Sequence, residues 1–182
     1  HVRHQFQIMN RMIADILQAS KSMSTNCRVE PRKLYLQPLC QEIHTQLADR
    51  FRERSLHLKQ DIPQDVPAVY GDRELIRQVL DNLLDNAIKY TPEGGTITVS
   101  LLHRTAQQIQ VSICDTGPGI PEEKQERIFE GHFRLKRDES KEGYGLGLYL
   151  CRKVILAHYG QIWVESDSNQ GSCFHFTLPV YR

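Results

Sequence analysis

Residues 82–90, Asn82-Leu83-Leu84-Asp85-Asn86-Ala87-Ile88-Lys89-Tyr90, set polar side chains into an otherwise apolar helical repeat. Leu75, Ile76, Val79, Leu80, Leu83, Leu84, Ala87 and Ile88 keep helical spacing, with Asp72 as the cap and Pro92 and Gly94-Gly95 as the stop. Asn82, Asn86 and Lys89 stand four and three positions apart, so they project together from one side of that helix. Taken alone, such a stripe is ordinarily a solvated helix face. Three further stretches change the reading: Asp115-Thr116-Gly117-Pro118-Gly119, Phe129 to Arg134, and Gly143-Tyr144-Gly145-Leu146-Gly147-Leu148. Their order and spacing within 182 residues form a far more specific signal than any one of them.

The residue types suit a nucleotide. Asp115 ends a strand pattern, and a buried carboxylate, which only accepts hydrogen bonds, can recognise the exocyclic amine of adenine where guanine offers an oxygen. Gly117 and Gly119 let the backbone approach a base closely, although a D-x-G-x-G string by itself equally suits an acidic turn. Gly143, Gly145 and Gly147 precede a helix without the lysine-serine/threonine ending of a P-loop, and no second half with a ribose carboxylate supports a dinucleotide fold. Amides at the start of that helix can take phosphate oxygens, and glycines before it suit a closing lid. A neutral amide oxygen at Asn86 can complete the oxygen shell of a magnesium ion held by phosphates, and Lys89 supplies positive charge for the same phosphates.

In this order the four stretches resemble the N, G1, F and G2 boxes of sensor histidine kinases of two-component systems, over about Asp72 to Leu178; the run through Tyr90 matches the first box almost letter by letter. The resemblance implies the catalytic, ATP-binding domain in an α+β fold, the two-layer α/β sandwich (Bergerat fold) shared with gyrase, Hsp90 and MutL ATPases. It implies ATP and Mg2+ as cofactors, Asn86 as the metal ligand, and Asn82, Lys89 and Arg134 in catalysis. The binding residues it implies are Asn82, Asn86, Lys89, Tyr90, Asp115, Gly117, Gly119, Ile120, Phe133, Arg134, Gly143, Tyr144, Gly145, Leu146, Gly147, Leu148 and Ser172. Gly171-Ser172 with Phe174 is similar to the family's last glycine motif, which helps wall the base pocket. Phe129, Phe133 and Arg134 match the third box in type, whereas Gly131-His132 departs from its usual basic-aromatic pair.

The implied chemistry is in-line transfer of the γ-phosphoryl group to a histidine on an adjacent helical hairpin, for relay to a response regulator. Hydrolytic relatives carry a glutamate where this chain has Asn82, and a neutral amide cannot act as a general base at neutral pH. The family's acceptor string, histidine-acid-x-arginine-threonine-proline, is absent, and His4 is followed by Gln5 where the acid would stand. His44, His57, His103, His132, His158 and His175 lack metal-ligand spacing and read as ordinary surface or edge residues. Two alternatives stay open: a hydrolytic or serine-directed member of the same superfamily, and a non-catalytic docking module. Asn82 speaks against the first; intact Asn86, Asp115 and Gly143 to Gly147 speak against the second. The segment Gly160 to Ser166 and the N-terminal helix also resemble cyanobacterial clock-output kinases.

Composition sets wider limits. With 40% apolar residues the chain can bury one core plus an appendage. A net charge of +1 gives no electrostatic case for nucleic acid. The five cysteines (Cys27, Cys40, Cys114, Cys151, Cys173) lack a C-x-x-C spacing, which argues against a disulfide framework or zinc site and for a reducing, cytoplasmic setting. No apolar run is long enough for a membrane span and no signal-peptide pattern opens the chain, so no membrane contact is expected of it.

Phe6, Met9, Ile13, Ile16 and Met23 predict an amphipathic helix over 4–24. By position it resembles the second helix of a dimerisation and phosphotransfer hairpin, implying a homodimer in the full-length protein, with a linker over 25–33 and the catalytic domain over 34–182. The remaining pattern predicts a strand at Lys33 to Gln37, a helix from Pro38 to Arg54, a strand at Leu56 to Ile62 followed by a Pro-rich loop, strands at Thr96 to His103 and Gln107 to Asp115, and a short helix to Phe129. A mobile loop over Lys136 to Gly143, a helix over Leu146 to His158, and strands at Gln161 to Ser166 and Ser172 to Leu178 follow.

Overall fold

A computed structural model describes residues 29–131, 133, 145–168 and 170–182 of the chain. The expected helix over 4–24, His4, Cys27, His132 and the loop expected over 136–143 lie outside the described residues. The elements run β1 (Arg32–Leu34), α1 (Leu36–Glu53), β2 (His57–Asp61), β3 (Val69–Gly71), α2 (Arg73–Tyr90), β4 (Thr96–Thr105), β5 (Gln108–Asp115), α3 (Glu122–Gln125), a 3-10 turn (Arg127–Phe129), α4 (Gly147–Ala157), β6 (Ile162–Asp167) and β7 (Gly171–Pro179).

Strand alternation builds the core. In β4, β5 and β7 every second residue is buried: Ile97, Val99 and Leu101; Ile109, Val111 and Ile113; Phe174, Phe176 and Leu178. The five-stranded sheet has the order β2-β4-β5-β7-β6, with β2 parallel to β4 and the other pairs antiparallel. Register aligns the apolar residues into cross-strand rows, Leu101–Val111–Phe176–Ile162 and Val99–Ile113–Phe174–Val164. Onto these rows pack Leu39 and Ile43 of α1, Ile76, Val79, Leu80 and Leu83 of α2, and Val154 and Ile155 of α4. The result is the expected two-layer sandwich. The other sheet face carries Thr98, Ser100, Ser112 and Glu165, as suits an antiparallel sheet covered on one side.

Four local expectations need correction. β1 and α1 both begin earlier than predicted, because Leu36, only 1% exposed, is already a core-facing helix residue. The segment read as a Pro-rich loop contains β3, which pairs with β1 as a separate two-stranded sheet; three residues are too few to show alternation. His158 and His175 are buried rather than surface residues, at 2% and 8% exposure. Finally, Cys114 and Cys173 form a disulfide. They are 59 residues apart, and only the β5–β7 register sets them opposite each other, with Cα atoms 4.0 Å apart. That pairing is invisible to a spacing rule and removes the basis for reading a reducing compartment. Cys40 and Cys151 are buried thiols, each pushed up to about 12 by burial.

His158 ties α4 to the start of α2. Its Nε2 accepts from the Asp72 backbone N–H at 2.9 Å, while Nδ1 lies 2.8 Å from the Val154 carbonyl. His175 lies on the other sheet face, stacked on Trp163 with ring centroids 5.1 Å apart and with Nδ1 2.8 Å from Ser112 Oγ. Its Nε2 is 3.8 Å from Glu165, too far for a hydrogen bond. Burial lowers the His175 pKa below the ordinary 6.5; Glu165 opposes this and Arg104 adds to it. The unfolded chain therefore binds this proton more readily, so the stability associated with a neutral His175 is present above pH 6.5 and is lost as pH falls through the folded value. Urea midpoints should drop on acidification below that pH, and less steeply for His175→Gln. Parallel profiles for the two proteins would assign the drop to other groups.

Candidate active site

Helix α2 is fixed at its start and along one flank. The Asp72 carboxylate accepts from the Glu74 and Leu75 N–H groups at 3.1 and 3.3 Å, capping the helix as its sequence predicts. Arg77 and Arg73 both pair with Glu42 of α1, and Arg50 of α1 pairs with Asp85. With that flank held by α1 and Ile76, Leu80, Leu83 and Ala87 in the core, Asn82, Asn86, Lys89 and Tyr90 come to lie half-buried. Asn82 points at the beginning of α4: its Oδ1 is 3.4 Å from the Cβ position of Gly147, and its side chain also reaches the buried Cys151 thiol. The first and fourth sequence stretches thus meet. Lys89 Nζ sits 5.0 Å from the Tyr90 ring centroid.

Asp115 closes the apolar rows. The next row on the helix-facing side reads Ile97–Asp115–Ser172–Ser166, so the sheet turns polar where β5 ends. The Asp115 Oδ1 accepts from Gly117 N–H at 2.7 Å. Burial raises the Asp115 pKa above its usual carboxylate value, and the backbone N–H groups of Gly117 and Ser172 hold part of that rise back. A Cβ on Gly117 would stand 3.1 Å from the Tyr90 carbonyl, which brings the second stretch against the end of the first. Gly119 has φ +70 and lies so close to β6 that a Cβ would fall 2.0 Å from the Asp167 carbonyl oxygen; both conditions require glycine. Ile120 and Ser172 are buried beside it, at 8% and 7% exposure.

Helix α4 opens at Gly147 after Leu146, and the Leu146 side chain cannot cap it, in contrast to Asp72 before α2. Among the described residues, its first-turn N–H groups have no side-chain acceptor of the kind Asp72 supplies to α2, which suits an anionic ligand. Gly145 has φ +70. Leu148 and Phe133 pack against the core, and the Arg127 guanidinium lies 4.6 Å from the Phe133 ring centroid. Phe129 is a core residue in edge contact with Phe174. Arg134, Gly143 and Tyr144 are outside the described residues. Among the sequence-selected residues that are described, contacts form two groups, Asn82 with Gly147 and Asp115 with Gly117, Ser172 and the Tyr90 carbonyl, and α2 carries a member of each; the contacts above do not by themselves tie Phe133 to either.

A polar end of the sheet, an uncapped glycine-led helix and a helix carrying two asparagines define a nucleotide-binding sandwich. The chain belongs to the family of histidine kinase-, DNA gyrase B- and HSP90-like ATPases, which matches its residues 71–182. Within that family it is similar to the adaptive-response sensory kinase SasA of Gloeothece citriformis, 74% identical over 180 residues, which cover 99% of this chain and 46% of that protein. It spans about half the length of such curated relatives. The catalytic domain of histidine kinase ThkA superposes with TM-score 0.74 at 35% identity, covering 83% of this chain and 98% of that one. ThkA solved in complex with the response regulator TrrA gives TM-score 0.79 at 29% identity, over 95% of this chain and 48% of that one. The resemblance to sensor histidine kinases and the expected sandwich are both borne out.

The sequence reading overlooked Ser166 and Gln125, which bind the loop 117–120 to β6. Gln125 Nε2 donates to the Ile120 and Ser166 carbonyls at 3.0 and 2.7 Å. The only signal for Ser166 was its parity: it follows Ile162 and Val164 on the inward face of β6. Because burial raises the pKa of Asp115, its ionised form is disfavoured by the empty fold, a penalty that grows as pH rises above the unfolded carboxylate value. Asp115→Asn should therefore leave the melting temperature of the empty protein unchanged or raised while weakening adenine nucleotide binding at least about tenfold. A lower melting temperature would show that the charge stabilises the empty fold.

Proposed function

We propose that this chain is the ATP-binding catalytic part of a sensor histidine kinase that, in the full-length cytoplasmic protein, transfers the γ-phosphoryl group of ATP to a histidine on an adjacent helical hairpin. The observation that carries the reading is that α2 touches both other parts of the site, with Asn82 against Gly147 of α4 and the Tyr90 carbonyl against Gly117 of the loop that follows Asp115. In this reading residues 34–182 form the catalytic domain and residues 4–24 the second hairpin helix of a homodimer, with a response regulator as the downstream partner.

Each residue has one task. Asp115 accepts from the exocyclic amine of the base, and the backbone of 117–120 packs along it. The α4 amides and Lys89 hold phosphate oxygens. Arg134, outside the described residues, is given the terminal phosphate by its place in the third box. Asn86 would hold magnesium: among the described residues no group of three His, Cys, Asp or Glu can cage a metal, so a neutral oxygen donor fits an ion carried mainly by phosphates. That ion supplies charge neutralisation at the transferred group. No helix among the described residues is long and apolar enough to cross a membrane.

Calorimetry with magnesium nucleotides should give a preference for ATP over GTP of about tenfold or more, and equal affinities would reject the Asp115 assignment. Asn86→Ala should weaken magnesium-dependent ATP binding more than Asn82→Ala does; the reverse order would move the metal to Asn82. With radiolabelled ATP the chain should label a separately supplied acceptor hairpin from its own full-length protein and form no stable phosphohistidine on itself. Acid-labile label lost on His4→Gln would place the acceptor within the chain instead.

A further inference from the structure

The polar row Ile97–Asp115–Ser172–Ser166 ends in a residue that belongs to none of the site motifs. The Ser166 Oγ accepts from the Ile120 N–H at 2.8 Å, donates to the Gly171 carbonyl at 2.7 Å, and lies 3.0 Å from the Ser172 Oγ. A hydroxyl has one proton to give and two lone pairs to accept with. The Gly171 carbonyl can only accept, so it takes the Ser166 proton. The contact between the two serines then has one direction: Ser172 donates and Ser166 accepts. With Ile120 on its other lone pair, Ser166 is saturated.

The consequence falls on Ser172, which has spent its only proton on Ser166 and presents lone pairs elsewhere. Its register partner is Asp115, also an acceptor. We infer that Ser166 is a positioning residue for base specificity: by taking the Ser172 proton it leaves the Ser172 hydroxyl beside Asp115 an acceptor only, which suits an amino group on a purine and repels a carbonyl oxygen at the same place. The inference rests on reading this site as an ATP pocket and deepens it. Gln125 supports the arrangement, since its two bonds join the Ile120 and Ser166 carbonyls and keep the Ile120 N–H aimed at Ser166. The direction of the chain of donors is set by the Gly171 carbonyl, which can only accept the Ser166 proton.

The test compares ATP and GTP affinity by calorimetry for the full 182-residue chain and its variants, with the melting temperature as a folding control. Ser166→Ala should narrow the ATP-to-GTP ratio by about five- to tenfold, because Ser172 is then free to donate to a carbonyl oxygen. Ser166→Thr, which keeps the hydroxyl, should restore most of the ratio. Adding Ser172→Ala to Ser166→Ala should lower GTP affinity below that of Ser166→Ala, because the hydroxyl that donates to the carbonyl is gone. A merely structural role would weaken both nucleotides alike, so an equal loss, or a ratio unchanged in folded Ser166→Ala, overturns the inference alone. Failure of the unmodified chain to bind ATP overturns the pocket assignment and the inference with it. If Ser166→Ala does not fold, Ser172→Ala must itself narrow the ratio, and an unchanged ratio there overturns the inference.

Discussion

The register between β5 and β7 is the constraint on which the rest of the molecule depends. Side chains alternate between faces with a period of two, so a slip of one residue would turn Asp115 away from the helices and bring Cys114 inward. The correct register sets Ile109, Val111 and Ile113 against Leu178, Phe176 and Phe174, and burial of these side chains is what holds it. Asp115 opposite Ser172 and Cys114 opposite Cys173 are the next consequences of the same alignment. A site built at the end of a buried ladder inherits the precision of the ladder, whereas the same residues on a free loop would not be held relative to one another.

That location also carries a cost. Burial disfavours the charge on Asp115, and the backbone N–H groups of Gly117 and Ser172 offset part of this. A donor from a bound base would complete the shell around the carboxylate, so the destabilising feature of the empty fold becomes a favourable one in the complex. The same logic explains why Gly117 and Gly119 flank it. Side chains there would collide with the Asp115 carboxylate or with the Asp167 carbonyl, and the loop could not approach as closely as the buried carboxylate requires.

Much of this was legible from residue patterns, and the reasons are physical. The helix over Arg73–Tyr90 announced itself through a long apolar repeat, a capping aspartate and a proline stop, three independent signals that agree. Asp115, Gly117 and Gly119 were legible because they follow the first stretch at a set distance, since the same string alone also suits an acidic turn. What stayed hidden depends on pairing between distant segments. The disulfide joins residues 59 apart through strand register, the burial of His158 follows from its bond to the Asp72 backbone, and β3 is a strand only because β1 lies beside it. Ser166 and Gln125 belong to the same class: nothing in a single strand or short helix tells that their partners are Ile120 and Ser172.

The choice between transfer to an imidazole and attack by water turns on whether a base stands beside the phosphates. On the side of α2 that faces α4 the described polar groups near Gly147 are the Asn82 amide and the Cys151 thiol. An amide has no useful basicity near neutrality, and burial pushes the Cys151 thiol up to about 12, so it stays protonated. The nearest carboxylate along the helix, Asp85, is engaged by Arg50 on the α1 flank, and Asp81 lies beside Arg77. An incoming imidazole carries its own lone pair and needs no base to make it nucleophilic, whereas water does. Among the described residues, the side of α2 that meets α4 thus offers amides and no free base, which favours the kinase reading over the hydrolytic one on the chemistry of these side chains.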